Sequence, residues 1–292
     1  MYRGKSIAVF VVPALALYCA IVIAPVFVTA FYGLFKYNGM GAMTFTGFEN
    51  YKNLFGDTVF LKSIFNSFIL AAASLFIQLP ISLILAIILA RGVKFEKFFR
   101  TVYFIPVVIS SMVIGQLWLK IFNGDHGLLN LFLKSIGLER FATVWLGNES
   151  TAFGAIVVPS VWQYIGYHML IMYAGIKSIP GELYEAAKID GATDFQTSMK
   201  ITIPLLMPVI KVCVTFALVG SLKAFDLVYI ITGGGPFHSS EVPSTVMYAN
   251  LFRKGAYGYG SAQSFFIILE CLVMSLIIQK IFKKSEESVS AV

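Results

Sequence analysis

Within two long apolar runs of this chain, polar side chains recur at helical spacing. Ser160, Gln163, Tyr164 and Tyr167 fall at i, i+3, i+4 and i+7 and so share one helix face. Ala217, Gly220, Ser221 and Ala224 do the same on the next run. One face offers hydroxyls, an amide and aromatic rings, and the other offers space. A polyhydroxylated solute needs that combination, because its hydroxyls want directed donors and acceptors while its C–H face packs on a ring. Helix packing through small residues and interhelical hydrogen bonds is the competing reading at any single position. Lys223 and Asp226, spaced i, i+3, are expected to pair with each other and to be structural rather than solute contacts. Glu270 has no obvious partner in its own run apart from Gln263, and either a cross-helix pair or a cavity would accommodate it.

Covalent and metal chemistry find little support. The three histidines, His126, His168 and His238, show no paired-ligand spacing, so a membrane-bound enzyme is disfavoured and no metal is expected. His168 is read as a packing or cavity-lining residue. Gly233 to Gly235 is followed by no Lys-Ser or Lys-Thr and reads as a turn. No nucleotide-binding Gly-x-x-x-x-Gly-Lys-[Ser/Thr] occurs anywhere.

The elements that must position these side chains are membrane helices. With 58% hydrophobic and 13% charged residues and a mean hydropathy of +0.81, the chain is an integral membrane protein. Six runs suit spans of about 20 residues, at roughly 7–32, 64–90, 102–122, 152–176, 209–232 and 262–282. No linker divides them, so the expectation is one all-α membrane domain over 1–292. Arg3, Lys5, Arg91, Lys94, Lys97, Arg100, Lys177, Lys188, Lys200, Lys280, Lys283 and Lys284 then fall on one side, which the positive-inside rule makes cytoplasmic together with both termini. The net charge of +7 follows from that topology, and nucleic-acid binding is not needed to explain it. The first apolar run is too long for the core of a signal peptide, and is expected to stay as a bent helix with Pro13 and Pro25. Pro80, Pro106 and Pro159 are expected to kink their spans. Cys19, Cys213 and Cys271 lie in separate spans, so neither a disulfide nor a metal framework is indicated. The outer loops are too short for a further domain but can form surface helices, Thr245 to Arg253 being one candidate with Val246, Leu251 and Phe252 available to a membrane or neighbour.

Between the fourth and fifth spans lies a polar, helix-forming insert, residues 179–208. Pro180 suits a first turn, Glu182 and Glu185 complement the helix dipole, and Gly191 offers a left-handed stop. Thr193 and Gln196 have capping-box spacing, and Phe195, Met199 and Ile203 recur on one face. Two short amphipathic helices joined by a tight turn are predicted. A helix pair lying on the membrane surface would explain the apolar stripe but not the spacing across both helices.

That spacing resembles the cytoplasmic signature of permease subunits in binding-protein-dependent ABC importers. Glu185, Ala186, Ala187, Gly191, Ile201, Ile203 and Pro204 stand in its register, and the filling Ile189-Asp190-Gly191-Ala192 resembles the sugar-transporting branch. Phe45-x-Gly47-x-x-Asn50-Tyr51, Tyr103-Phe104-x-Pro106, Thr232 to Pro236 and Gly258 to Ala262 extend the resemblance toward the maltose-type first permease subunit. The extra N-terminal spans and large external domain of that subunit have no counterpart in this sequence.

The resemblance implies a type I ABC importer permease fold with a cytoplasmic coupling-helix hairpin, in a bacterial or archaeal cell membrane. It implies that Glu182, Glu185, Ala186, Ala187, Asp190, Gly191, Ala192 and Phe195 meet an ATPase subunit, which alone uses ATP and Mg. It implies as partners a second permease subunit, two ATPase subunits, an extracytoplasmic sugar-binding protein and a sugar cargo, with no cofactor bound by this chain. An ungapped alignment from Glu185 places the family's sugar-contacting positions on the two faces described. Tyr167 matches in type and Ser221 in polarity, whereas Gln163, Tyr164 and Ala224 depart. A self-sufficient secondary transporter is the rival from another class, but it would carry more intramembrane acids and an internal repeat.

Overall fold

Apolar runs long enough to cross hydrocarbon become helices because only then is every backbone polar group satisfied within the segment. The computed structural model describes residues 3–289, with side chains over 9–283, so the side chains of Arg3, Lys5 and Lys284 in the charge argument lie outside the described residues. The long helices are α1 (Val9–Tyr32), α2 (Thr58–Ala90), the consecutive α3 (Glu96–Val108) and α4 (Ser111–Ile121), α5 (Glu149–Lys177), the short α6 (Gly181–Ile189), α7 (Ile203–Leu222) and α8 (Tyr257–Val289). Among the described residues five helices are long and apolar enough to cross a membrane, six if the α3–α4 pair, bent by 95°, is counted as one span. Among the described residues the single antiparallel ladder, Phe35–Lys36 with Thr44–Phe45, is two residues long, and the remaining regular structure is helical.

Three expectations change in the structure. The run at 102–122 is not one helix. Ile109 is extended, and the Ser110 hydroxyl accepts from Met112 N–H to cap a new helix, so the bend falls after Pro106 rather than at it. The run at 209–232 is interrupted at Lys223–Phe225 and resumes as Asp226–Ile231. The second helix of the 179–208 insert is not separate. Asp194–Thr197 passes through a π turn, Ser198–Thr202, straight into α7, because no residue there offers a stop. Pro159 sits inside the unbroken 29 residues of α5. Pro80 follows a π turn, Ser74–Gln78, within α2.

Contacts divide the chain into two units. The larger comprises Lys62–Thr245 and the residues from Glu270 onward. Its core joins Leu79, Ala86 and Leu89 of α2, Met169, Met172 and Ile176 of α5, and Leu206, Cys213 and Ala217 of α7. A second cluster gathers Leu70, Ile114, Ile156, Val228 and Ile231. Between these helices small residues and hydroxyls do the joining, as expected where lipid supplies no hydrophobic drive. Gly166 lets α5 approach the α3 backbone so closely that a Cβ there would lie 1.8 Å from the Tyr103 carbonyl oxygen. Ser82 Oγ reaches the Ile165 carbonyl at 2.9 Å, tying α2 to α5.

The smaller unit holds the residues up to Leu61 together with Val246–Leu269. Here the motif residues Asn50 and Tyr51 act as pins. The Asn50 amide donates to the Gly33 and Phe35 carbonyls, both at 2.9 Å, and the Tyr51 hydroxyl to the Ala30 carbonyl at 2.8 Å. Burial pushes the Tyr51 phenol above its ordinary pKa. Tyr259 donates to the Asp57 carboxylate at 2.8 Å. The expected helix near 245–253 begins at Pro243 and runs through a π turn to Arg253, with Val246 buried rather than free to meet a membrane.

Candidate functional site

All eight residues of the two predicted faces line one cavity of about 620 Å³ inside the larger unit. α5 contributes Ser160, Gln163, Tyr164 and Tyr167; α7 contributes Ala217, Gly220 and Ser221; Ala224 lies in the break after it. Their roles within the cavity differ. The Ser160 hydroxyl is committed to the Ile156 carbonyl at 2.8 Å, and Ser221 Oγ to the Ala217 carbonyl at 2.8 Å and Ser74 Oγ at 3.0 Å. Both serines therefore hold the wall together more than they offer donors. Gln163, Tyr164 and Tyr167 supply the directed groups. The Tyr167 ring stands edge-on to His168, with centroids 5.1 Å apart. A Cβ at Gly220 would meet nothing within 4 Å, as its reading as open space requires.

Further residues complete the lining that the sequence reading did not place there. Ser74 and Gln78 come from α2, where Ser74, Gln78 and Ser82 form a buried i, i+4, i+8 stripe. That stripe was visible in the sequence as polar residues inside an apolar run. Lys223 and Asp226 also line the cavity, and they form no ion pair with each other among the described residues, contrary to expectation. The break between Leu222 and Asp226 removes the helical geometry that would have set them side by side. His168 lines the cavity too, with a buried Nδ1 that has no hydrogen-bond partner. Glu270 is neither part of the lining nor hydrogen-bonded through either carboxylate oxygen. Among the described residues no three His, Cys, Asp or Glu converge to hold a metal.

The insert forms an exposed hairpin. α6 starts after Pro180 and closes at Gly191, φ +72, with Ala192 N–H reaching the Ala187 carbonyl at 2.9 Å. The capping box of Thr193 and Gln196 starts the return helix. Ile189 is 86% exposed and Phe195 68%, flanked by exposed Glu182, Glu185, Ala186, Asp190 and Gly191. Of the remaining residues in the predicted contact set, Ala187 is buried and Ala192 half-buried. The sequence did not reveal the brace behind this hairpin. Arg91, at the end of α2, donates from Nη1 to Asp194 Oδ2 at 2.8 Å and from Nη2 to Ser198 Oγ at 3.1 Å and the Asp194 carbonyl at 3.2 Å. Beside it Glu96 accepts from the Tyr173 hydroxyl, and Lys177 Nζ reaches the Ala90 carbonyl at 2.8 Å.

Long apolar helices around a polar-lined cavity, with an exposed hairpin emerging between two of them, define a multi-pass membrane permease. The chain belongs to the family of binding-protein-dependent transport system inner membrane components, whose model matches residues 78–287. Its relatives include the probable ABC transporter permease protein YurN of Bacillus subtilis, 40% identical over 95% of this chain and 96% of that protein. The diacetylchitobiose uptake system permease protein NgcF of Streptomyces coelicolor is 31% identical over 90% of this chain and 78% of its own length. The trehalose/maltose transport system permease protein MalF of Thermococcus litoralis is 30% identical over 96% and 95%. A chain of a bacterial ABC transporter involved in alginate import has the same fold, with a TM-score of 0.82 over 97% of this chain and 96% of that one at 22% identity. The chain is thus a type I permease component of an ABC importer.

Proposed function

We propose that this permease forms half of the translocation pathway of an ATP-driven sugar importer, in a cell membrane of bacterial or archaeal type with both termini cytoplasmic. The observation that carries the reading is the exposed hairpin. Apolar Ile189 and Phe195 ringed by Glu182, Glu185 and Asp190 make a surface with no cover from the chain's own helices. Such a surface suits an ATPase subunit that supplies the nucleotide and Mg chemistry this sequence lacks. The cavity then receives the cargo, with Gln163, Tyr164 and Tyr167 as directed contacts and Ala217, Gly220 and Ala224 leaving room. The sugars named for relatives, diacetylchitobiose and trehalose or maltose, support an oligosaccharide cargo. The remaining partners are a second permease subunit, a second ATPase copy and an extracytoplasmic binding protein, with residues 1–292 acting as one permease domain.

The test is Glu185→Lys in the assembled importer. Reversing that charge should lower ATP-dependent uptake by roughly ten-fold or more and weaken ATPase co-purification, while the chain stays in the membrane. Unchanged uptake, or uptake independent of any ATPase, refutes the reading.

A further inference from the structure

Lys223 and Asp226 are two opposite charges, both exposed and both lining one cavity. Neither side chain makes a hydrogen bond or an ion pair among the described residues, although both line the same 620 Å³ space. A charge inside a span is normally retained by pairing or by facing a path filled with water or solute. The break in the helix at Lys223–Phe225 puts Lys223 just after the end of α7 and Asp226 at the start of the next short helix. In the same lining, His168 of α5 is 3% exposed and its Nδ1 has no partner. The cavity lining therefore contains a donor cation, an acceptor anion and an imidazole nitrogen without a hydrogen-bond partner.

We propose that Lys223 and Asp226 are cargo-selecting residues that together specify an uncharged saccharide, an inference resting on the sugar-importer reading. A sugar hydroxyl both donates and accepts, so it satisfies Asp226 as donor and Lys223 as acceptor without bringing net charge. An acidic saccharide satisfies Lys223 but sets like charge against Asp226, and a cationic one does the reverse. The free Nδ1 of His168 provides a further polar contact. Ser160 and Ser221, committed to the backbone, add little to this selection.

The complete importer, purified with its ATPase subunits, second permease and binding protein, is reconstituted in liposomes. It is assayed with radiolabelled maltose, cellobiose, diacetylchitobiose and digalacturonate. The wild type should carry a neutral member and not digalacturonate. Lys223→Met and Asp226→Asn should each lower neutral-sugar transport by about ten- to a hundred-fold, the loss of one hydrogen bond to a charged group. ATPase activity stimulated by the binding protein should persist, so that sugar carried per ATP falls. Lys223→Arg and Asp226→Glu keep the charge but move it, and should shift KM by about three-fold or more with a smaller effect on kcat. If the first pair fails to assemble, the charge-keeping pair decides the matter. Wild-type transport per ATP in the neutral variants, or an unchanged KM in both charge-keeping variants, overturns this proposal alone. A wild type that prefers digalacturonate also overturns it, and one that carries no saccharide at all overturns the sugar reading on which it rests.

Discussion

Single residues in this permease show how polarity inside a membrane protein is divided between holding the walls and facing the cargo. Ser221 and Tyr167 both line the cavity, yet the Ser221 hydroxyl is spent on Ala217 and Ser74, whereas Tyr167 presents its ring and hydroxyl. Tyr167→Ala should therefore depress transport without loss of ATPase association, while Ser221→Ala should act mainly on stability; uptake and thermal melting of the detergent-solubilised complex separate the two. Gly166 offers a steric test. A methyl there meets the Tyr103 carbonyl oxygen at 1.8 Å, so Gly166→Ala should lower the melting temperature, at a cost of about 1–3 kcal/mol. Glu270 offers the converse. Both carboxylate oxygens are buried without a hydrogen bond, so Glu270→Met should raise the melting temperature, removing a burial penalty of about 1–3 kcal/mol. A fall would show that a neighbouring subunit satisfies it.

Among the elements, the hairpin and α2 are mechanically linked. Arg91 grips both Asp194 and Ser198 at the root of the return helix, and that helix continues through a π turn into α7, which walls the cavity. A push on the exposed hairpin is thereby delivered to α2 and α7 together. An exposed ion pair contributes little to stability, about 0–1 kcal/mol, so the brace should matter more to coupling than to folding. Arg91→Ala is expected to leave the melting temperature nearly unchanged while reducing sugar carried per ATP, and Arg91→Lys to restore part of it; equal losses of stability and coupling would contradict this. The hairpin itself was largely legible in the sequence. Gly191 and the Thr193–Gln196 box lie within five positions of one another, and local chemistry of that kind needs no tertiary information. The bend at Ile109–Ser110 was not legible. Its cap is one serine within an apolar run that reads as a continuous span.

For the whole molecule, orientation is the property on which cargo direction depends, and it rests on the distribution of Lys and Arg. With Cys19, Cys213 and Cys271 replaced, Lys94→Cys should react with an impermeant thiol reagent only from the cytoplasmic side and Asp125→Cys only from the outer side, both positions being exposed. Reversed labelling would overturn the topology. Membrane residence, the six apolar runs, the two cavity-facing stripes and the polar hairpin were all determined by the sequence alone, because each depends on composition or on spacing within a short stretch of chain. Tertiary structure decided which polar groups are already satisfied and which charges stay apart. Those outcomes depend on distances between segments far apart in the chain, such as Ser74 against Ser221 or Arg91 against Asp194, and on a helix break that parts Lys223 from Asp226. No periodicity within a single helix encodes them.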